Sequence, residues 1–560
     1  MSKQLYVYDT TLRDGAQYRG ISFSLQDKLK ITQLLDNFGV DYIEGGWPGS
    51  NPKDEAYFKH AKNLGLKHAK LVAFGSTRKP MLEVDNDPQI QSLLSANTPA
   101  VALVSKFWTF HIETVLRTDL TQNLSMIYDS VAFFKAHGRE VVLDAEHFFD
   151  GFKDNQDYTF QCIEAAVRAG VDNLTLCDTN GGSMPQDIEY AVKAVRNKFP
   201  TLSLGIHCHN DCELAVANSL SAVKSGVSLL QGTINGYGER CGNANLISLL
   251  ANLLLKQSFN QEFGLNSDIT SERLSDLSKE IADIANIPLK ADAAYVGDNA
   301  FSHKGGIHVA AIAKASQTYE HLNPSLVGNQ REITISELSG KSNVQLQAQK
   351  LGLDVSRNFQ QVLDSIKALE KKGLTLENAP GSFEMLVRKQ DKSYQPHFTV
   401  LSMQVGVNDM NASTQPNADT CTATVKVRVK NKIAHVVEEA SGPVDALNLA
   451  FKKALTSFFP QVQAMQLTDY KVSILDPEKA SAATTRVWIQ SCCKDSTAHD
   501  QCWATIGCSD NIIKASAQAL IDSYQLFLIK HNHLSQNSTH QSAQHRFSDL
   551  DNEVTHNGHN

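Results

Sequence analysis

The sequence from Leu202 to Asp211 reads LSLGIHCHND, an apolar run that ends in two histidines. The run from Leu202 to Ile206 predicts a buried strand. Side chains alternate between the two faces of a strand, so His207 and His209 point to the same side and Cys208 to the other. Two imidazoles two residues apart at a strand end provide half of a metal site. The alternative is a pair of polar residues at an ordinary strand-to-loop transition.

A regular alternation of strands and helices continues to about residue 260, with a repeat of roughly 30 residues. Amphipathic segments predict the helices, for example from Leu25 to Phe38 before the stop signal Gly39. Eight strand–helix units predict an α/β fold, a parallel (β/α)8 TIM barrel. The predicted strands are Leu5–Asp9, Tyr42–Gly45, Ala69–Phe74, Ala100–Val104, Val141–Leu143, Leu174–Leu176, Leu202–Ile206 and Leu229–Ile234.

The alternative architecture is a doubly wound open sheet, which needs a glycine-rich phosphate turn after its first strand. The residues that follow the first strand here, Thr10 to Gly15, read TTLRDG and do not form such a turn. The barrel is therefore the predicted fold.

Polar residues cluster at the carboxyl ends of nearly all the predicted strands, where TIM barrels place their chemistry. Barrel closure pairs the last strand with the first, so Asp14, His207, His209 and Asn243 converge although they are far apart in sequence. Two imidazoles, one carboxylate and one amide oxygen suit a divalent cation with open coordination positions. The other polar residues at these strand ends are Asp9, Arg13, Gln17, Glu44, Asp144, Glu146, His147, Asp178, Thr179, Asn180, Asn210, Asp211, Asn235, Glu239 and Arg240.

Such a site predicts an anionic, oxygen-bearing substrate. A bound cation would accept a carbonyl and a carboxylate oxygen of a 2-oxo acid, and Arg13 would stabilise a developing oxyanion. Glu146 is placed for proton transfer. These residues predict metal-assisted carbon–carbon chemistry on a 2-oxo acid, and they leave aldolases and lyases open.

The domain organisation follows from changes in the sequence pattern. We expect a catalytic barrel at 1–270, a helical linker region over the barrel mouth at 271–390 and an α+β domain with an internal repeat at 391–531. The tail at 532–560 is rich in His, Asn, Ser and Gln and is predicted to be disordered.

Composition bounds the function further. The 560 residues carry a net charge of −8, which argues against nucleic acid as a partner. The sequence has no apolar run near the roughly 18 residues of a membrane span, and the N-terminus predicts no signal peptide. Ten cysteines without a Cys-x-x-Cys pair disfavour a zinc finger or a disulfide framework and predict a reducing cytoplasm.

Four segments resemble a known family, the 2-isopropylmalate, homocitrate and citramalate synthases. They are DTTLRDGAQ at 9–17, IHCHND at 206–211, GERCGN at 238–243 and GGIH at 305–308. Three more resemble the citramalate branch of that family: EGGWPGSNPKD at 44–54, DAEHFFDGF at 144–152 and SELSGKSN at 336–343. The resemblance covers the chain up to the tail.

The resemblance implies a Claisen condensation of acetyl-CoA with pyruvate, followed by thioester hydrolysis to (R)-citramalate, on a path to isoleucine. It also implies a divalent ion (Mg²⁺, Mn²⁺ or Zn²⁺), with acetyl-CoA as co-substrate. One alternative is a synthase for a bulkier 2-oxo acid. The other is an inactive binding homologue, which is disfavoured because the residues of the implied site are all present, namely Arg13, Asp14, Glu146, His207, His209 and His308. The implied roles are metal ligation by Asp14, His207 and His209 with Asn243, polarisation of the keto oxygen by Arg13, binding of the pyruvate carboxylate by Thr179, and acid–base chemistry by Glu146 and His308, with Tyr319 as a further catalytic residue.

The C-terminal half resembles the regulatory domain of the same family, which binds the pathway amino acid between two chains. That implies a homodimer with feedback inhibition, by isoleucine rather than leucine. The basic stretch TRKPM at 77–81 departs from the family pattern and is expected to border the substrate or CoA.

Some residues allow a purely structural interpretation. Glu44 fits a salt-bridged barrel residue as well as a site residue, and Lys304 fits a CoA-phosphate ligand or a solvated side chain. His147 and His303 are expected to be structural histidines. The thiols of Cys177, Cys208 and Cys212 are expected to be buried.

Overall fold

The computed structural model describes residues 2–334, 341–356, 358–408, 420–494 and 502–548, without the side chains of 408, 420 and 532–548. The chain divides into two compact units. The first comprises Met1–Phe301 and His321–Glu332, and the second comprises Ser302–Glu320 and Ile333–Asn560. The predicted domain limits at 270, 390 and 531 stay a prediction.

Eight parallel strands of the first unit close into a barrel, which confirms the predicted fold. The closing pair joins the last strand to the first, with Tyr6 opposite Leu229 and Asp9 opposite Gly232. The strands are β1 Tyr6–Asp9, β2 Tyr42–Gly46, β3 Lys70–Ser76, β4 Ala100–Lys106, β5 Glu140–Glu146, β6 Asn173–Asp178, β7 Leu204–Cys208 and β8 Leu229–Gly232.

Helices follow the strands, and local capping explains where they begin. The helix after β1 starts at Ser24, whose hydroxyl accepts a hydrogen bond from the backbone of Asp27 while the Asp27 carboxylate accepts one from Ser24. It stops at Gly39, which has φ +103°. The helices are α1 Leu25–Phe38, α2 Pro52–Ala61, α3 Pro88–Ser95, α4 Leu120–Ala136, α5 Phe148–Asp154, α6 Gln156–Arg168, α7 Pro185–Lys198, α8 Ala215–Lys224, α9 Leu246–Leu255 and α10 Leu274–Ala285.

Helix α3 was not predicted, although Asp87 caps it and Pro88 occupies its first turn. Shorter segments complete the unit: the helical turns Thr109–His111 and Gln257–Asn260, a π-helical turn Ile112–Leu116, and the strand Lys3–Gln4, which pairs with Phe263–Gly264.

The strands separate two cores because their side chains alternate. On β5, Val141 and Leu143 belong to the cluster shared with the surrounding helices, whereas Val142 belongs to the barrel interior. Tyr8 and Phe74 are among the large residues of the barrel interior. The interior is thus a packed core, and the polar groups are left to the strand ends.

The second unit begins with helices and ends in two similar halves. Its helices are α11 Gly306–Ile312, α12 Lys341–Lys350, α13 Phe359–Lys371 and α14 Pro380–Gln390. The first half contains β9 Thr399–Asn408, β10 Thr420–Val429, β11 Lys432–Ala440 and α15 Pro443–Thr456. The second contains β12 Met465–Ile474, β13 Thr485–Cys493, β14 Cys502–Ser509 and α16 Ile512–Ser548. Each half has an antiparallel three-stranded sheet, which confirms the predicted repeat.

Two expectations need correction. The backbone is helical to Ser548, whereas disorder was predicted from residue 532; no Pro or Gly interrupts this stretch, so the helix is free to continue. Residues 549–560 lie outside the described residues. Cys492 and Cys502, opposite each other on β13 and β14, form a disulfide although only free thiols were expected. A cytoplasmic location stays a prediction.

No helix among the described residues is long and apolar enough to cross a membrane.

Candidate metal centre and active site

Three predicted ligands converge at the carboxyl end of the barrel. Asp14 lies in the turn after β1, His207 is on β7 and His209 follows it. The Oδ2 of Asp14 is 3.3 Å from Nε2 of His207 and 4.0 Å from Nε2 of His209. The two Nε2 atoms are 3.4 Å apart, and all three residues are buried. Their ligand atoms face one another closely enough to hold a metal ion.

Asn243 completes this group. Its Nδ2 is 3.0 Å from Oδ2 of Asp14 and 3.4 Å from Nε2 of His207, while its buried Oδ1 has no hydrogen-bond partner among the described residues. The two ends of an amide exchange places when it turns over, which would direct Oδ1 at the same point. A carboxylate, two imidazoles and an amide oxygen around one point fit a divalent cation.

The segment after β8 delivers Asn243 through backbone contacts. His209 and Asn243 form an antiparallel bridge, and the N–H of Ala244 donates to the carbonyl of Cys208 at 2.9 Å. Gly238 passes so close that a Cβ on it would lie 1.9 Å from Oδ1 of Asn243. A glycine is therefore required here to keep the Asn243 amide in place.

A buried network behind His207 fixes its orientation. Its Nδ1 lies 2.9 Å from Oε1 of Gln231, and Nε2 of Gln231 donates to Oδ1 of Asp144 at 2.8 Å. Because the amide oxygen can only accept, Nδ1 carries the proton and Nε2 keeps its lone pair for a ligand. Gln231 was not predicted as a site residue; a polar residue within the apolar strand β8 was the available signal.

The electrostatics give Asp14 and His209 the protonation states that a metal requires, an ionised carboxylate and a neutral imidazole. Burial opposes ionisation of Asp14, yet Arg13 and His207 hold the pKa of its carboxyl far below the usual range. Burial, followed by the charge of His207, lowers the pKa of His209 to about 4. Burial lowers the pKa of His207 too, but Asp14 outweighs it, so the pKa is raised overall.

Arg13 lies beside this cluster in a rigid setting. Its Nη1 is 3.4 Å from Oδ2 of Asp14, and its Nε pairs with Oε1 of Glu44. The guanidinium lies over the Phe74 ring, 3.9 Å from its centre. The hydroxyl of Tyr8 donates to the other oxygen of Glu44 at 2.6 Å. Glu44 is therefore a salt-bridged barrel residue that orients Arg13.

Glu146 lies at the end of β5 in a second polar group. Lys106, directly opposite it on β4, forms an ion pair with Oε2 of Glu146. Nδ1 of His111 is 3.9 Å from the same oxygen. Lys106 and His111 were not predicted as site residues. His111, Glu146 and His147 could also hold a metal, but the Lys106 ammonium already balances the carboxylate.

Thr179 contacts this second group through His147. The backbone N–H of His147, which has φ +55°, donates to Oγ1 of Thr179 at 2.8 Å. The His147 ring pairs with Asp150, with 3.0 Å between Nδ1 and Oδ2. His147 therefore has structural contacts, as expected, and the hydroxyl hydrogen of Thr179 is left to donate elsewhere.

Two further predicted residues, His308 and Tyr319, belong to the second unit. Their rings stack with centres 4.0 Å apart, and Tyr319 is exposed. Nearby in sequence, His303 pairs with buried Glu320 at 3.2 Å, which supports its expected structural role. Lys304 pairs with Glu377 at 2.7 Å rather than being simply solvated.

Other expectations are settled by burial. In the basic stretch at 77–81, Arg78 is buried and binds Asp129 through Nε and Nη2 at 2.9 and 2.7 Å, so it has a structural role. Cys177 and Cys208 are buried as expected, but Cys212 is exposed because it follows the end of β7 in a surface turn.

Family profiles match three successive parts of the chain. They are HMGL-like at residues 4–281, homocitrate synthase post-HMGL domain-like at 295–374, and LeuA allosteric (dimerisation) domain at 377–528.

Full-length relatives refine this assignment. The chain is 44% identical over 533 residues to the (R)-citramalate synthase of Aquifex aeolicus, covering 95% of this chain and 99% of that protein. It is 44% identical over 527 residues to that of Geobacter sulfurreducens, covering 94% and 97%. The chain belongs to the (R)-citramalate synthase family. A 2-isopropylmalate synthase of Methanocaldococcus jannaschii is only 28% identical over 536 residues, covering 94% and 95%. The citramalate synthase branch, and with it the transferase class, is thereby confirmed.

Proposed function

We propose that this chain condenses acetyl-CoA with pyruvate and then hydrolyses the thioester, giving (R)-citramalate and CoA. The observation that carries the proposal is the buried group of Asp14, His207 and His209 beside Arg13, in a chain 44% identical to citramalate synthases over nearly its whole length. This group offers a 2-oxo acid both a cation site and a guanidinium. Its ligand chemistry suits Mg²⁺, Mn²⁺ or Zn²⁺.

Residues of the barrel would bind and polarise pyruvate. Asp14, His207, His209 and Asn243 would hold a divalent ion, which would supply Lewis-acid polarisation of the keto group. Arg13, held by Glu44, donates to the keto oxygen as negative charge develops there. The Thr179 hydroxyl, which accepts from the His147 backbone, donates its own hydrogen to the pyruvate carboxylate.

The carbon–carbon bond requires a proton acceptor. We assign Glu146 as the base that removes a proton from the acetyl methyl group, so that the methyl carbon attacks C2 of pyruvate. We also propose an acid–base role for His308, which stacks on Tyr319. Water then cleaves the carbon–sulfur bond, and the CoA thiol leaves with a proton.

Thiol release from acetyl-CoA tests this function directly. Purified protein with Mg²⁺ or Mn²⁺ would be given pyruvate, 2-oxoisovalerate or 2-oxoglutarate in parallel. We expect the highest kcat/KM with pyruvate and (R)-citramalate as the product. Preference for a bulkier 2-oxo acid would overturn the substrate assignment, and release with none of them would overturn the catalytic function.

The second unit supports a regulatory proposal. The match of residues 377–528 to the LeuA allosteric (dimerisation) domain leads us to propose a homodimer that isoleucine inhibits. Light scattering should give about twice the 61.5 kDa chain mass. Isoleucine should lower the rate in the same assay, with leucine as the matched control; a monomer, or equal effects of the two amino acids, would contradict the proposal.

A further inference from the structure

We propose that Lys106 is a positioning residue that keeps Glu146 ionised and correctly oriented for proton abstraction. This inference rests on the proposed function, because it takes Glu146 as the base. Neither the sequence pattern nor the family resemblance pointed to Lys106.

Strand pairing places the two side chains together. Lys106 is the last residue of β4 and Glu146 the last of β5, and the two are direct partners in the parallel register. Hydrogen bonds to both backbone carbonyls hold the pair in place: Nδ2 of Asn123 donates to the carbonyl of Lys106 at 3.0 Å, and the N–H of Phe107 donates to the carbonyl of Glu146 at 3.2 Å. The pair is thus a product of the barrel itself, unlike a pair of mobile surface side chains.

The pair is also largely withdrawn from water. The side chains of Lys106 and Glu146 are only 19% and 23% exposed. Ion pairs on open surfaces contribute little because water and salt screen them, whereas screening is weaker at this depth. The ammonium therefore has a real influence on the charge state of Glu146.

The surrounding groups leave this role to Lys106. His111 faces Glu146, but burial, followed by the charges of Lys106 and His147, lowers its pKa to about 4, so it is neutral near pH 7. His147 is turned to Asp150. The two neighbouring strand-end carboxylates are engaged elsewhere, Asp144 with Gln231 and Asp178 with Ser183.

Lys106 itself sets an upper limit on the pH range. Burial lowers the pKa of its ammonium to about 8. The neighbouring Glu146 carboxylate favours the charged form, so the cation is present at pH 7 and is lost only at alkaline pH. Glu146 accepts a proton from the acetyl methyl group while Lys106 keeps its own, so no proton needs to move between them.

The test compares Lys106→Met with Lys106→Arg. Loss of the cation should lower kcat of Lys106→Met at pH 7 at least tenfold and move the acid limb of its pH profile upward, because an unpaired carboxylate ionises less readily. Lys106→Arg keeps a permanent cation, so it should retain kcat within about threefold and lose the alkaline decline that deprotonation of Lys106 causes. Lys135→Met is the matched control. Lys135 lies on helix α4 and also forms an ion pair, with Nζ 2.6 Å from Oδ2 of Asp172.

A double-variant cycle tests whether Lys106 acts through Glu146. If it does, adding Lys106→Met to Glu146→Gln should cost no further activity. Exchange of the acetyl-CoA methyl protons in D₂O reports the proton step without the condensation. Should Lys106→Met fail to fold, Lys106→Arg still decides through its alkaline limb.

The outcomes are distinct. An unchanged kcat and pH profile for Lys106→Met, or additive losses in the cycle, would overturn the role of Lys106 alone. A wild-type protein that releases no thiol with any 2-oxo acid, and exchanges no methyl protons, would instead overturn the proposed function.

Discussion

At the scale of single residues, the fold lowers the pKa values of both Asp14 and His209. The carboxylate is therefore charged and the imidazole neutral. Asp14 stays ionised although it is buried, because Arg13 and His207 surround it. His209 stays neutral because burial and the charge of His207 both oppose its protonation. An anionic carboxylate beside a neutral imidazole is what a divalent cation binds, so the protein presents Asp14 and His209 in the required states.

His207→Ala should abolish metal binding and thiol release. It removes one imidazole and leaves Asp14 and His209 with too few partners. Metal content after dialysis against a metal-containing buffer is the measurement, and His60→Ala, an exposed histidine on α2, is the control. Full turnover by His207→Ala in metal-replete buffer would exclude the metal assignment.

Gln231→Leu should weaken metal binding while leaving all the proposed ligands present. The leucine cannot accept the hydrogen of His207 Nδ1, so the imidazole is free to turn or change tautomer. Loss of such a supporting contact typically costs about 10- to 100-fold in affinity. Titration with Mn²⁺ followed by electron paramagnetic resonance measures it; an affinity equal to wild type would show that the network is dispensable.

At the scale of elements, short loops and strand register do the positioning. The segment after β8 folds back on β7 through the His209–Asn243 bridge, which brings the amide to the ligands. The register of β4 and β5 places Lys106 against Glu146 in the same way. Both contacts depend on backbone pairing between neighbouring segments of the barrel.

Gly238→Ala should disturb the metal centre without removing any ligand. The new Cβ would overlap Oδ1 of Asn243, and such overpacking typically costs about 1–3 kcal/mol. We expect a lower unfolding temperature of the barrel and weaker Mn²⁺ binding. Gly442→Ala is the control, because no atom lies within 4 Å of its added Cβ. Equal metal affinity in both variants would contradict the interpretation.

At the scale of the whole molecule, a buried acidic group at the end of β1 costs stability. Burial raises the pKa of Asp9 to about 7, only partly offset by hydrogen bonds from Thr11. The folded chain thus holds a proton between about pH 4 and 7 that the unfolded chain has released. The contribution of Asp9 to stability is therefore greatest at the acidic end of this range and falls as the pH rises towards 7.

Asp9→Asn should remove this dependence. The asparagine can keep both contacts with Thr11, so its stability relative to wild type should grow from pH 5 to pH 8, by up to about 3 kcal/mol. Calorimetry of the barrel transition in EDTA measures it. The same substitution at exposed Asp85 should give a difference that does not vary over this range. A constant difference for Asp9→Asn would contradict the shifted pKa.

The sequence alone determined the barrel and the Asp14, His207 and His209 group. The alternation of apolar segments determines the fold class. Parallel strands bring their carboxyl ends to one rim of the barrel, so ligands at the ends of β1 and β7 converge without any special packing. Tertiary structure decided the rest. Gln231 and Lys106 acquire their roles from facing particular neighbours across strands. The pairing of Cys492 with Cys502 likewise depends on strand register. The periodicity of a sequence indicates which face of a strand a side chain occupies, but it does not indicate which residue of the neighbouring strand lies opposite.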